Sequence, residues 1–223
     1  MKEYKKNKFG ELWLNCGSGV SLADNFINVD NFFTLADLKK GQKTKKGIYK
    51  NARVTKDSQF VKSDICKMPF KDNFADYIEC NDVIEHQPIK MIGTFLTEIY
   101  RVLKPGCSLG LSTTNFNELA RLWSINVASV DFSKEEDWEK YIKLSQVIYG
   151  NQAGEGEFHR CAFNPIIIAY YLQVAGFDPR NITIRIFPTN CSEMPPQKAY
   201  DHARKDMENT VVLTEMMWVI AKK

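Results

Sequence analysis

Apolar residues come in short runs that end in glycine or an acid. Residues 11–16 (Glu-Leu-Trp-Leu-Asn-Cys) form a run halted by Gly17-Ser18-Gly19, the pattern of a buried strand entering a tight loop. Residues 26–30 give a second strand ending at Asp30, residues 59–63 a third closed by Asp64, and residues 75–80 a fourth leading into Asn81-Asp82-Val83-Ile84-Glu85-His86. Ile89, Ile92, Leu96, Ile99 and Leu103 then recur every three or four residues, widened by Phe95 and Val102, which predicts an amphipathic helix stopped by Lys104-Pro105-Gly106. Residues 107–113 read as a fifth strand. Helical patterns follow near 118–126, 135–149 and 165–175, the last closed by Gly176. Two further strands, 181–187 and 210–221, flank a polar segment containing Pro195-Pro196. Strands alternating with helices and finishing in an antiparallel pair predict an α/β three-layer sandwich with a mostly parallel sheet.

Composition narrows the class. The 223 residues are 44% hydrophobic and 26% charged, enough for a large core, and neither an internal repeat nor a Gly/Ser-rich linker divides them, so a single domain is expected. Apolar runs fall well short of the roughly 20 residues of a bilayer span, and the start has no apolar segment of signal-peptide type; a cytoplasmic location is expected. The net charge of +3 hides an asymmetry: residues 39–56 carry eight Lys and Arg and no acid, leaving −5 for the remainder. With Gly41 and Gly47 inside it and no apolar periodicity, this stretch reads as a loop, part of a basic insertion at about 31–58. The six cysteines are scattered without a CxxC pair, which suggests reduced structural thiols and argues against a zinc site; no metal is expected.

Ligands of an open parallel sheet bind outside the carboxyl ends of its strands. Four features fall there: Gly17-Ser18-Gly19, Asp30, Asp64 with Ile65, and residues 81–86. Glycines admit close backbone approach, a carboxylate after the second strand can accept both hydroxyls of a ribose, and one after the third can accept from an adenine amino group while Ile65 packs on the ring. Singly, each also reads as a turn glycine, strand terminator or helix cap; in this order they favour a nucleoside ligand. A dinucleotide fingerprint is disfavoured, because Leu22 stands where its third glycine belongs and Asp30 comes eleven positions after Gly19 rather than about twenty. There is no GxxxxGK[ST] loop either.

The chain resembles the class I S-adenosylmethionine (SAM)-dependent methyltransferases, specifically their type 11 branch. The resemblance rests on Leu14-Asn15-Cys16-Gly17-Ser18-Gly19, similar to that family's LDxGxG loop; on Asn28-Val29-Asp30; and on Ser63-Asp64-Ile65 with Met68-Pro69-Phe70. It continues through Asp76-Tyr77-Ile78 to Ile84-Glu85-His86, then Arg101-Val102-Leu103-Lys104-Pro105-Gly106, and covers about residues 11–115. The closing residues 217–223 are similar to the family's final strand. Tyr149-Gly150-Asn151-Gln152, Phe158-His159-Arg160 and Ala175-Gly176-Phe177 are similar to a bacterial and phage subgroup.

The resemblance implies a Rossmann-like, mostly parallel seven-stranded sheet with an antiparallel C-terminal strand, and a SAM pocket. In that pocket Asn15, Cys16, Gly17 and Gly19 lie by the methionine part, Asp30 at the ribose, Asp64 and Ile65 at adenine, and Asn81, Asp82 and Val83 along the sulfonium side. Two departures stand out: Asn15 replaces the usual loop acid, and residues 19–26 are too few for the usual first crossover helix.

Methyl transfer from a sulfonium needs alignment, a dry pocket and, for some acceptors, a base. Of the three histidines, His159 is the first candidate for base or acceptor binding, with Arg160 orienting an anionic acceptor and His86 the second candidate. The alternative is that His86 caps a helix and His159 pins a loop. Tyr149, Phe158, Phe163 and Trp123 could wall the acceptor, although such aromatics are more often core. Residues 116–165 are expected to build the acceptor pocket. The expected activity is methylation of a small-molecule or glycan-like acceptor. The alternatives are a nucleic-acid methyltransferase holding phosphates with residues 39–56, or a non-catalytic module that binds SAM or a nucleoside.

Overall fold

The computed structural model describes residues 3–20, 22–47, 49, 52–129, 131, 133–134, 142, 144–150, 152, 155–188 and 215–223. Seven strands form one sheet: β1 Trp13–Cys16, β2 Ile27–Asp30, β3 Gln59–Lys62, β4 Ala75–Asn81, β5 Leu103–Thr114, β6 Ile182–Pro188 and β7 Glu215–Lys222. Their order is β3-β2-β1-β4-β5-β7-β6. The first five pair in parallel, and β7 runs antiparallel between β5 and β6. Strand order switches at β1, with β2 and β3 laid on one side and β4 and β5 on the other, which opens the crevice where ligands of such sheets bind. The helices are α1 Leu35–Thr44, α2 Ile92–Val102, α3 Phe116–Ser129 and α4 Pro165–Val174.

Helix α2 shows why the sequence folds this way. Ile92, Phe95, Leu96, Ile99 and Val102 are all fully buried in the main core, together with Ile168 and Leu172 of α4 and with Leu14, Val29, Ile78, Leu109, Leu111 and Val219 of the sheet. Five such side chains contribute on the order of 10 kcal/mol of gross burial before the cost of ordering them. The helix runs straight into β5, which begins at Leu103, four residues before the expected start, because Leu103 already pairs with Ala75. Gly106, at φ +78°, donates its N–H to Lys223 O (2.8 Å), so the Lys104-Pro105-Gly106 turn is tied to the end of β7.

The expectation of a loop through residues 39–56 is corrected: α1 reaches to Thr44. Thr34 accepts the Asp37 N–H (3.1 Å) while Asp37 accepts the Thr34 N–H (3.1 Å), a reciprocal cap that satisfies two helix-end donors. The helix buries only Leu38 and Gly41, too thin an apolar face to give a periodic signal. Gly41 lies directly against the Tyr49 ring, where a Cβ would overlap it. Of the expected 135–149 helix, residues 144–149 are helical and most of 135–143 lie outside the described residues. So do Pro195-Pro196, His202 and residues 210–214.

Between β1 and β2 the described residues form turns and no helix, as the short spacing requires. A buried amide pair holds this connection: Asn15 Nδ2 donates to Asn28 Oδ1 (3.0 Å), which also accepts the Ala23 N–H (2.9 Å), and Asn28 Nδ2 donates to Ala23 O and Gln59 O (3.0 Å each). No helix among the described residues is long and apolar enough to cross a membrane.

Candidate active site

The loop after β1 turns on two glycines in left-handed conformation, Gly17 (φ +73°) and Gly19 (φ +55°). Gly17 and Ser18 donate their N–H groups to Val29 O (2.8 and 3.2 Å), folding the loop onto β2. Asp30 finishes the arrangement: its Oδ2 accepts the Gly19 N–H (3.0 Å) and its Oδ1 the Phe32 N–H (2.8 Å). Burial raises the Asp30 carboxyl above its ordinary value, opposed by these backbone donors. Each oxygen keeps acceptor capacity for a further donor. Ser18 Oγ is buried with no partner, and the Cβ direction of Gly19 meets open space. The cradle therefore holds one unspent polar group and room beside a backbone that a ligand can approach.

Two of the residues expected at this loop turn their side chains away from it. Asn15 is spent on Asn28, and Cys16 is buried with its Sγ 3.7 Å from Met68 Sδ. Both leave only backbone to a ligand. After β3, Asp64 is exposed and caps its own turn through Cys66 N–H (2.8 Å to Oδ1), while Ile65 is buried. The following Met68-Pro69-Phe70 segment is clamped by α2. Arg101 Nη1 donates to Phe70 O (2.9 Å) and Asp72 (2.7 Å), Arg101 Nη2 donates to Glu98 Oε1 (2.7 Å), and that Glu98 oxygen accepts the Met68 N–H (2.7 Å).

The end of β4 faces this cradle. Asn81 accepts from Ser112 Oγ (2.9 Å) and donates to Glu79 Oε1 (2.5 Å). Glu79 is fully buried, its Oε2 has no partner, and burial pushes its carboxyl up to about 7. Asp82 adopts φ +50°, unusual for a residue other than glycine, with its N–H on Ser112 O (3.1 Å). The residue as a whole is exposed, while its carboxyl sits in the recess, where loss of hydration raises it. Val83 then packs directly on Gly17.

One turn further, Glu85 and His86 meet the segment that carries His159. The backbone N–H groups of Arg160 and Cys161 both donate to Glu85 O (2.7 and 3.2 Å). The His86 and His159 rings meet edge to face, 4.8 Å between centroids. Each holds a backbone carbonyl at Nδ1: Phe158 O for His86 (3.1 Å), Val147 O for His159 (2.9 Å). Burial lowers the basicity of both rings, and the neighbouring His86 lowers His159 further. Glu85 is buried and raised, by burial first and then by the Asp82 charge. Burial, and then Glu85, push the Cys161 thiol up to about 12, so it is an inert thiol. Arg160 is exposed.

Glu85, His159 and Cys161 line a small recess of about 20 Å³, partly open to solvent, with Thr113, Phe116, Leu119 and Phe163. Phe163 is core at 2% exposure, whereas Phe158 and Tyr149 are exposed and Trp123 half-buried. Phe32, just beyond Asp30, packs on the backbone of Gly156, so the walls from β2 and from the 155–161 segment meet. Sequence reasoning left Glu85 out of the expected site residues; its signal was the strand-end position it shares with His86.

A family model described as a methyltransferase domain, of type 11, matches residues 14–111. No curated protein matches the sequence. Solved structures do. A SAM-dependent methyltransferase from Archaeoglobus fulgidus superposes with a TM-score of 0.54 at 14% identity, covering 96% of this chain and 86% of that one. One from Thermotoga maritima, described as a possible histamine N-methyltransferase, gives 0.54 at 14%, covering 96% and 82%. Human N-acetylserotonin methyltransferase, solved in complex with SAM, gives 0.51 at 13%, covering 96% of this chain and 47% of that one. At these identities the likeness establishes a shared fold.

Proposed function

We propose that this chain, whose residues 14–111 are a class I, type 11-like methyltransferase domain, is a SAM-dependent methyltransferase acting on a small-molecule or glycan-like acceptor. The observation that carries this reading is the cradle at the ends of β1, β2 and β4. There Gly19 leaves open space for close backbone approach, Gly17 lets Val83 pack against the loop, Ser18 Oγ is buried and unpartnered, and Asp30 has acceptor capacity to spare beside them. In this reading Gly17, Ser18 and Gly19 hold the methionine part, Asp30 the ribose, Asp64 and Ile65 the adenine, and residues 81–83 the sulfonium side. SAM, when bound, supplies a methyl group already activated by its positive sulfur. The chain's own work is then to align an acceptor, exclude water and keep lone pairs facing the methyl group.

His159 and His86 suit the acceptor side. A carbonyl oxygen can only accept, so each Nδ1 must carry the hydrogen, and each neutral ring then offers a lone pair at Nε2. Arg160 adds positive charge at the rim for an anionic acceptor. Within the chain, we assign the segment 116–165 to the acceptor wall.

Calorimetric titration with SAM and with S-adenosylhomocysteine tests the premise, and transfer of a labelled methyl group to panels of hydroxyl and amine metabolites and sugars tests the activity. Binding of both nucleosides with methyl turnover is expected. Absence of binding to either overturns the proposal, and binding without turnover leaves a sensing module.

A further inference from the structure

Glu85, His86 and His159 each present a ligand atom, and these atoms all lie within 4.8 Å of one another. From this we propose that the three side chains form a divalent transition-metal site of the zinc class, two imidazoles and a carboxylate, in the wall of the acceptor pocket.

Three features beyond proximity support it. Each histidine is oriented by a hydrogen bond from Nδ1 to a backbone carbonyl, Phe158 O and Val147 O, which fixes the tautomer and leaves Nε2 as the donor atom toward an ion; metal-binding histidines are held this way. Glu85 is 4% exposed and its Oε2 has no hydrogen-bond partner, a buried carboxylate oxygen that needs a cation or a donor. The two halves of the cluster, 73 positions apart in sequence, are stapled by the Arg160 and Cys161 N–H bonds to Glu85 O, so the ligands are placed by backbone and not by chance side-chain contact. A tetrahedral ion with bonds of about 2.0–2.1 Å holds its ligand atoms roughly 3.4 Å apart, so binding an ion draws these atoms inward from separations of up to 4.8 Å.

Three protein ligands leave a fourth position open, as catalytic rather than structural sites do. Two of the three ligands, Glu85 and His159, also line the recess with Thr113, Phe116 and Leu119, through which an exchangeable fourth ligand would reach the ion. Resting on the methyltransferase reading, this makes the acceptor an oxygen ligand: a hydroxyl bound to the ion loses its proton to solvent more readily and is fixed as a nucleophile. The expectation of no metal came from local spacing in the sequence, which cannot register ligands from two distant segments.

The test uses tag-free, chelator-treated full chain titrated with Zn²⁺ by calorimetry and with Co²⁺ by visible absorption, alongside SAM titration of the same samples. The expected result is one ion per chain, with intense tetrahedral-type Co²⁺ bands. H86N and H159N should each weaken Zn²⁺ at least about tenfold and leave SAM affinity within about twofold. E85Q, the variant most exposed to folding damage, serves only as a third arm, and retained SAM binding by the histidine variants reports an intact fold. Absence of stoichiometric Zn²⁺ binding by wild type, or binding that H86N and H159N both keep, overturns the metal site whatever SAM does. Metal binding without SAM binding would instead overturn the functional reading and leave the site standing.

Discussion

Val83, after β4, occupies the space that a side chain at Gly17, after β1, would need: a Cβ at Gly17 would overlap the Val83 isopropyl group. Two loops from different strands are thereby locked into one surface, and Gly17 is required twice, by contact and by its φ of +73°. G17A should lose about 2–4 kcal/mol of stability and at least about tenfold in SAM affinity. V83A relieves the overlap but not the left-handed backbone. The G17A/V83A double variant should therefore be less destabilised than the two single costs combined, by about 1 kcal/mol, in chemical denaturation. Simple additivity would mean that the two loops do not press on each other.

Asp30 holds Gly19 and Phe32 by one oxygen each. In D30N one of those oxygens becomes an NH₂ group facing an N–H, so the variant loses both a hydrogen bond and the charge. We expect a loss of about 1–2 kcal/mol in stability and at least about a tenfold rise in the SAM Kd by calorimetry. A folded D30N with unchanged SAM affinity would confine Asp30 to building the loop.

Arg101 reaches the ligand site only through the segment it clamps. Its planar fork serves Glu98, Asp72 and Phe70 O together, a task a single ammonium cannot copy. R101K should cost about 1–3 kcal/mol, speed amide exchange through residues 64–72, and raise the SAM Kd a few-fold through Asp64 and Ile65. Unchanged exchange in that segment would contradict the clamp.

The sheet was legible because its strands are short, buried runs ended by Gly17, Asp30, Asp64 and Asn81, and those same ends marked the cradle. Helix α1 was not, because a face of Leu38 and Gly41 gives no periodicity; the readable signal was the Thr34 and Asp37 pair, which marks a start without an apolar stripe. The roles of Asn15 and Cys16 misled for a related reason: position in a loop motif does not say which way a strand residue points, and both face the interior. His86 and His159 were each legible as candidates, but their meeting was not, since it depends on the Glu85 carbonyl catching the Arg160 and Cys161 N–H groups.

Glu79 gives the molecule a pH dependence whose sign can be worked out. Its carboxyl is held at about 7 in the fold against 4.5 for the ordinary group, so between those values the folded state keeps a proton that the unfolded chain has released. Stability from this residue is then greatest below about 4.5, falls as pH rises, and levels off above about 7 at a loss on the order of 3 kcal/mol. E79Q keeps the amide oxygen for Asn81 and removes the buried charge. Its melting temperature should match wild type near pH 4.5 and exceed it increasingly up to about pH 7, above which the gap levels off. The difference in unfolding free energy between the two proteins, followed across that range, isolates Glu79 from every other titrating group. A difference that stays flat with pH would show that Glu79 is already ionised in the fold.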